Sequence, residues 1–87
     1  MTDTPALSVI IPHLNAPEAL ARCLEALAAQ RGDGVPFEVI VADNGSARPP
    51  EAVAAAYPFA RLIVEPTPGP GPARSQGARI ARAPILA

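Results

Sequence analysis

From Phe37 to Asp43 the chain reads Phe-Glu-Val-Ile-Val-Ala-Asp, then breaks into Asn44-Gly45-Ser46. A run this apolar and β-branched predicts a strand covered on both faces, as in a parallel sheet, rather than one with a wet face. Only Glu38 and the terminal Asp43 are charged within it. The Asp-Asn-Gly-Ser that follows favours a turn and tolerates unusual backbone angles. Parallel strands need crossover connections, usually helical, and open α/β sheets bind ligands at the carboxyl ends of their strands. Asp43 falls at such an end. Its carboxylate could meet a ligand there, or could cap its own turn through the N–H groups of Gly45 and Ser46.

The flanking segments supply the crossovers. Leu7 to Pro12 is a short apolar run between prolines, predicted as the first strand. Asn15 is placed to cap a helix, with Pro17 in its first turn and Glu18 favourable at its positive end. From Glu18 to about Gln30, Leu20, Cys23, Leu24 and Leu27 recur at helical spacing and define one apolar face. After Gly32-Asp33-Gly34 the Phe37 strand completes a βαβ unit. Arg48-Pro49-Pro50-Glu51 opens a second helix running to about Tyr57, and Arg61 to Glu65 reads as a third strand.

Pro66 to Pro72, Pro-Thr-Pro-Gly-Pro-Gly-Pro, is predicted as an exposed loop. It serves either as a stiff connector or as a ligand-facing loop whose glycines let a backbone approach closely. A third helix is expected from about Ala73 to Arg82, with small residues at Ala73, Gly77 and Ala81 suited to tight packing. Pro84 to Ala87 reads as the opening of a fourth strand. A domain does not ordinarily stop there, so residues 1–87 are expected to be a single, truncated N-terminal part of a larger domain.

Composition narrows the function classes. With 49% apolar and 17% charged residues the chain is globular, not a disordered tail. A chain of 87 residues buries only about 60–65% of its unfolded surface, which leaves little margin of stability. Its net charge of −1 gives no reason to expect nucleic-acid binding. Cys23 is the only cysteine, which excludes an intrachain disulfide and a thiolate cluster, and its place in the helical pattern reads as a small core residue. The N-terminus has no signal-peptide pattern and no stretch is long enough for a membrane span, so the cytoplasm is the expected compartment.

In a parallel sheet the loops after Pro12, Asp43 and Glu65 all emerge at one edge, beside helix N-termini that present free N–H groups. Such a rim suits phosphate, and Arg74 would add a bidentate donor fork. Asp43 would repel phosphate and suits N–H donors, ribose hydroxyls or a metal. A nucleotide offers both kinds of group. His13, the sole histidine, has no paired nucleophile motif and is weak evidence for acid–base work. Ser46 lacks the nucleophile-elbow setting, and the dinucleotide and P-loop glycine patterns are absent after the first strand.

Leu7 to Asn15, Arg22 to Leu27, Phe37 to Ser46 and Gly71-Pro-Ala-Arg-Ser-Gln-Gly77, taken together and in order, resemble the N-terminal half of a family 2 glycosyltransferase. The resemblance implies a GT-A-like (Rossmann-like) fold, with a partial parallel sheet of three to four strands and helices on both faces. It also implies a nucleotide-diphosphate-sugar donor, a UDP-sugar foremost, and a divalent cation, Mn or Mg. It places Pro12, His13 and Asn15 along the nucleotide, Asp43 at the base beside Asn44 and Gly45, and Arg74 on the nucleotide. Three positions depart from the family pattern: His13 replaces a small hydroxyl residue, Asn44 a second Asp, and Ser75 an Asn. The family's metal-binding D-x-D follows its fourth strand, and the sequence contains no such motif. The chain is therefore expected to hold a nucleotide without performing transfer alone. A non-catalytic nucleotide-binding module and a small structural α/β domain are the alternatives.

Overall fold

The computed structural model describes residues 5–30, 36–83 and 85–86. Four strands and three helices alternate in chain order: β1 (Leu7–His13), α1 (Pro17–Gln30), β2 (Phe37–Asp43), α2 (Glu51–Ala55), β3 (Ala60–Val64), α3 (Pro70–Ile80) and β4 (Ile85–Leu86). The strands form one parallel sheet in the order β3-β2-β1-β4. The α/β class, the parallel sheet and the bounds of β2 agree with the sequence reading.

The middle of β2 is the driest part of the molecule. Val39, Ile40, Val41 and Ala42 are all fully buried, between β1 on one side and β3 on the other. Val39 and Val41 pack with Leu20 and Leu24 of α1, and Val53 and Tyr57 extend that layer. On the opposite face α3 lies against β1 and β2. It comes so close that a Cβ on Gly77 would sit 2.6 Å from Ile10 Cγ2, so glycine is required by the approach itself. Ala73 is fully buried in the same interface. Helices therefore cover both faces, and each buried Leu, Ile or Val side chain contributes about 1.5–3 kcal/mol of transfer free energy.

Register positions the site. Leu7 pairs with Phe37 and the ladder runs level to His13 opposite Asp43, while Asp43 pairs with Val64. Three strands thus end abreast, and the connections that leave them share one edge.

Local details differ from expectation. β1 extends through Pro12 to His13. α2 spans five residues and ends before Tyr57. Helix α3 begins at Pro70, so the last three residues of the proline-rich stretch are helical rather than loop. Prolines fit the first turn, where N–H groups have no intrahelical partner, and Gly69 makes the entry at φ 110°. Cys23 is exposed, not a core residue. Leu20 and Leu24 point into the sheet, and Cys23 instead lines a cleft of about 310 Å³ with Ile11, Pro12, Leu14 and Ala19. Asn15 is not a helix cap: its carboxamide accepts the Ala47 N–H at 2.9 Å, across the gap to another loop. Among the described residues no helix is long and apolar enough to cross a membrane.

Candidate functional site

The level strand ends bring the β1–α1, β2–α2 and β3–α3 connections to one rim, and side chains from the ends of β1 and β2 stitch them together. Asp43 is the centre of the first stitch. Its residue is 1% exposed, and both carboxylate oxygens are used. Oδ1 accepts from the Ser46 hydroxyl at 2.6 Å and from His13 Nδ1 at 2.8 Å, and Oδ2 accepts from the Ser46 N–H at 3.0 Å. Burial alone would raise its pKa. The hydrogen bonds from the Ser46 hydroxyl, His13 and the Ser46 N–H outweigh that and hold it below the ordinary value of 3.8.

His13 is pinned from both sides. The Ala16 N–H donates to Nε2 at 3.1 Å, so Nε2 is unprotonated and the ring proton sits on Nδ1, facing Asp43. The ring is therefore neutral. Ser46 Oγ completes the link by accepting the Asn15 N–H at 2.9 Å. Asn15 itself holds φ at 50°, a left-handed conformation that asparagine tolerates better than most residues.

Serine, histidine and aspartate meet here, yet the arrangement is not a nucleophile with its base. The Ser46 proton goes to Asp43 rather than to the imidazole, and the free lone pair of His13 is taken by Ala16.

The second stitch is Asn44. Its amide donates to the carbonyls of Glu65 at 2.9 Å and Thr67 at 2.7 Å, and its oxygen accepts the Gly69 N–H at 2.7 Å. Glu65 holds the same loop from within, its carboxylate accepting the Thr67 N–H at 2.9 Å. An aspartate at position 44 could not make the two donations. Among the described residues no buried side-chain nitrogen or oxygen lacks a partner.

The sequence-derived site residues thus divide by accessibility. Asn15, Gly45 and Arg74 are exposed and Pro12 is half-buried, so a ligand can reach them. Arg74 lies in the second turn of α3, not the first, and has no hydrogen-bond or ion-pair partner among the described residues. Gly45 holds φ at 92°, with open space where a Cβ would stand. Asp43 and His13 are buried and bonded to each other, and Asp43 also caps its own turn through the Ser46 N–H and hydroxyl. Ser46 escaped the sequence-based site, although Asp and Ser three residues apart at a strand end carry the spacing of a side-chain-capped turn.

A third buried acid, Glu38, lies at the far end of β2. It accepts from the Ser8 hydroxyl (2.6 Å) and the Arg82 N–H (2.7 Å) and pairs with the Arg82 and Arg61 guanidinia at 3.3 and 3.5 Å. Among the described residues no group of three or more His, Cys, Asp or Glu side chains could hold a metal ion.

Comparison with known proteins fits this geometry. Residues 8–87 match the model of glycosyl transferase family 2. The chain belongs to that family. It is 37% identical over 82 residues to an uncharacterised glycosyltransferase of Mycobacterium tuberculosis, covering 94% of this chain and 34% of the relative. It is 38% identical over 91 residues to the validoxylamine A glucosyltransferase of Streptomyces hygroscopicus subsp. limoneus, covering 99% of this chain and 20% of that one. Glucosyl-3-phosphoglycerate synthase from Mycobacterium tuberculosis, solved with Mn2+, UDP and glucosyl-3-phosphoglycerate, superposes with a TM-score of 0.66 at 30% identity. That match covers 85% of this chain and 29% of the synthase. The fold is GT-A-like, and the chain spans about a third or less of the length of these relatives.

Proposed function

We propose that the carboxyl-edge rim binds the nucleotide diphosphate of a sugar donor, a UDP-sugar foremost, and that the protein transfers the sugar to an acceptor. The observation that carries this is the level register of His13, Asp43 and Val64, which gathers three loops and the start of α3 at one edge. Asn15, Gly45 and Pro12 offer reachable surface there, and Arg74 supplies a guanidinium without a partner among the described residues. Helix N-termini and arginine are the groups that diphosphates favour. Asp43, His13 and Asn44 serve as positioning residues: they hold the loops, and the exposed groups hold the ligand.

Family membership and the UDP complex of the synthase support the donor class. The same complex contains Mn2+, and a divalent cation belongs to this reading. The described residues do not assemble ligands for it, so no step is assigned to a metal here. This span is proposed to supply the nucleotide-binding half and to be inactive alone.

Titration with UDP should perturb the backbone amides of Asn15, Gly45 and Arg74, and Arg74→Ala should weaken binding about tenfold, as expected for one lost charge-assisted contact. No perturbation at those amides would sink the nucleotide reading. A radiolabelled sugar-transfer assay on the 87-residue span should show no turnover, and turnover would overturn the proposed inactivity.

A further inference from the structure

We infer that His13 is a positioning residue whose neutral, Nδ1-protonated ring locks the β1–α1 loop to the β2–α2 loop and so sets the shape of the donor rim. The inference rests on the nucleotide reading only for what the rim binds. The geometry of the lock stands on its own.

Three observations carry it. First, the ring joins two segments thirty residues apart, with Asp43 on one nitrogen and the Ala16 N–H on the other. Second, the two contacts demand opposite roles of the two nitrogens, donor at Nδ1 and acceptor at Nε2, which a single tautomer satisfies. The imidazolium would turn Nε2 into a donor facing the Ala16 N–H. The opposite tautomer would break both contacts. Third, a parallel link runs beside it, from the Asn15 N–H to Ser46 Oγ and from the Ala47 N–H to Asn15 Oδ1. The exposed Asn15 is thereby tied to Ser46 and Ala47, the two residues that follow Gly45. Asp43 is the titratable group facing the ring from β2, and Cys23 of α1 lines the cleft beside it. A small hydroxyl at position 13 could not span from Asp43 to the Ala16 N–H. The ring is what lets one side chain reach both.

Two substitutions divide the contacts. His13→Asn can place an amide donor near the Nδ1 position but cannot reach Ala16. His13→Gln can place an acceptor near Nε2 but withdraws the donor from Asp43. In the free chain, long-range 1H–15N spectra should show Nδ1 protonated and Nε2 unprotonated. Hydrogen exchange of the Ala16 amide should accelerate in His13→Asn and stay slow in His13→Gln, while the Ser46 amide should shift mainly in His13→Gln. A ring protonated at Nε2, a fast mixture of tautomers, or amides that respond alike to both substitutions would overturn the lock.

UDP affinity supplies the functional arm. Both variants should bind UDP about tenfold more weakly than the parent, as loss of one buried hydrogen bond implies. Unchanged affinity in both would overturn the positioning role. Failure of the parent chain to bind UDP would remove the nucleotide reading, and the ring spectrum would still decide the lock.

Discussion

The central strand buries a carboxylate near each end, and the two are held in different ways. Asp43, at the carboxyl end, is 1% exposed and meets a hydroxyl, a backbone N–H and a neutral imidazole. Glu38, toward the amino end, is 4% exposed and meets a hydroxyl, a backbone N–H and two guanidinia. Those guanidinia belong to Arg61 and Arg82, whose side chains are 43% and 58% exposed. Glu38 is neutralised by charges that reach in from solvent. Asp43 is stabilised by short hydrogen bonds from groups that the fold fixes in place.

The contrast separates two kinds of buried support. Glu38 ties β2 to the segment after α3, where the Ala83 N–H also donates to Ser8 Oγ. Its partners come from β1, β3 and the segment after α3, and the two guanidinia it holds stay partly exposed. Asp43 joins loops at the rim, and the groups it positions stay exposed. A carboxylate without a counter-charge places its surroundings through directional hydrogen bonds, which fix geometry more tightly than exposed ion pairs do.

The largest expected effect tests that difference directly. Asp43→Ala should cost about 3 kcal/mol in chemical denaturation, because donors from Ser46 and His13 are left buried without an acceptor. Glu38→Ala should cost less, about 2 kcal/mol, since the two arginines regain water when the acid is removed. Equal losses would break the comparison.

Acid titration sharpens it next. Both carboxyls are held below their ordinary values of 3.8 and 4.5, burial opposing and hydrogen bonds prevailing. A depressed pKa contributes stability that is present above the unfolded-state value and lost as pH falls through the folded-state value. Stability should therefore be flat from neutral pH down to about 5 and fall below that. Added salt should weaken the Glu38 share more than the Asp43 share, because Arg61 and Arg82 are open to screening. Unfolding curves at several pH values, with and without salt, check both statements.

A smaller effect is expected at the neighbouring clamp. Asn44→Asp should lose about 1 kcal/mol, keeping the Gly69 contact while setting a carboxylate against the carbonyls of Glu65 and Thr67. Faster exchange of the Gly69 amide would report the loosened loop. Least of all, Arg82→Ala should cost no more than about 0.5 kcal/mol, as an exposed partner whose backbone N–H still reaches Glu38. A loss above 1 kcal/mol would show that the far end is held by charge more strongly than its exposure implies.

Much of the architecture was legible in the residues. An unbroken β-branched run bounded by a turn motif sets its own limits, which is why Phe37–Asp43 was read correctly at both ends. Helical periodicity located α1, and the small residues Ala73 and Gly77 announced a close approach to the sheet. The gathering of three loops at one edge followed from parallel topology alone. Boundaries governed by weak local signals were missed, notably the helical start at Pro70, where proline suits both a loop and a first turn.

Side-chain direction was not legible. Helical spacing groups Cys23 with Leu20 and Leu24 but does not say that the helix is rolled so as to leave Cys23 outside. A strand-end aspartate can point at a ligand or into its own turn, and local sequence permits both. Asp43 is held by Ser46 within its own turn and by His13, thirty residues away, which the register sets beside it. Sequence therefore determined the fold class, the family and the edge at which three loops gather, because those follow from local patterns repeated along the chain. Tertiary structure decided how the polar groups at that edge are held, because hydrogen bonds between distant segments engage Asp43, His13, Asn15 and Asn44 and leave the Arg74 guanidinium exposed.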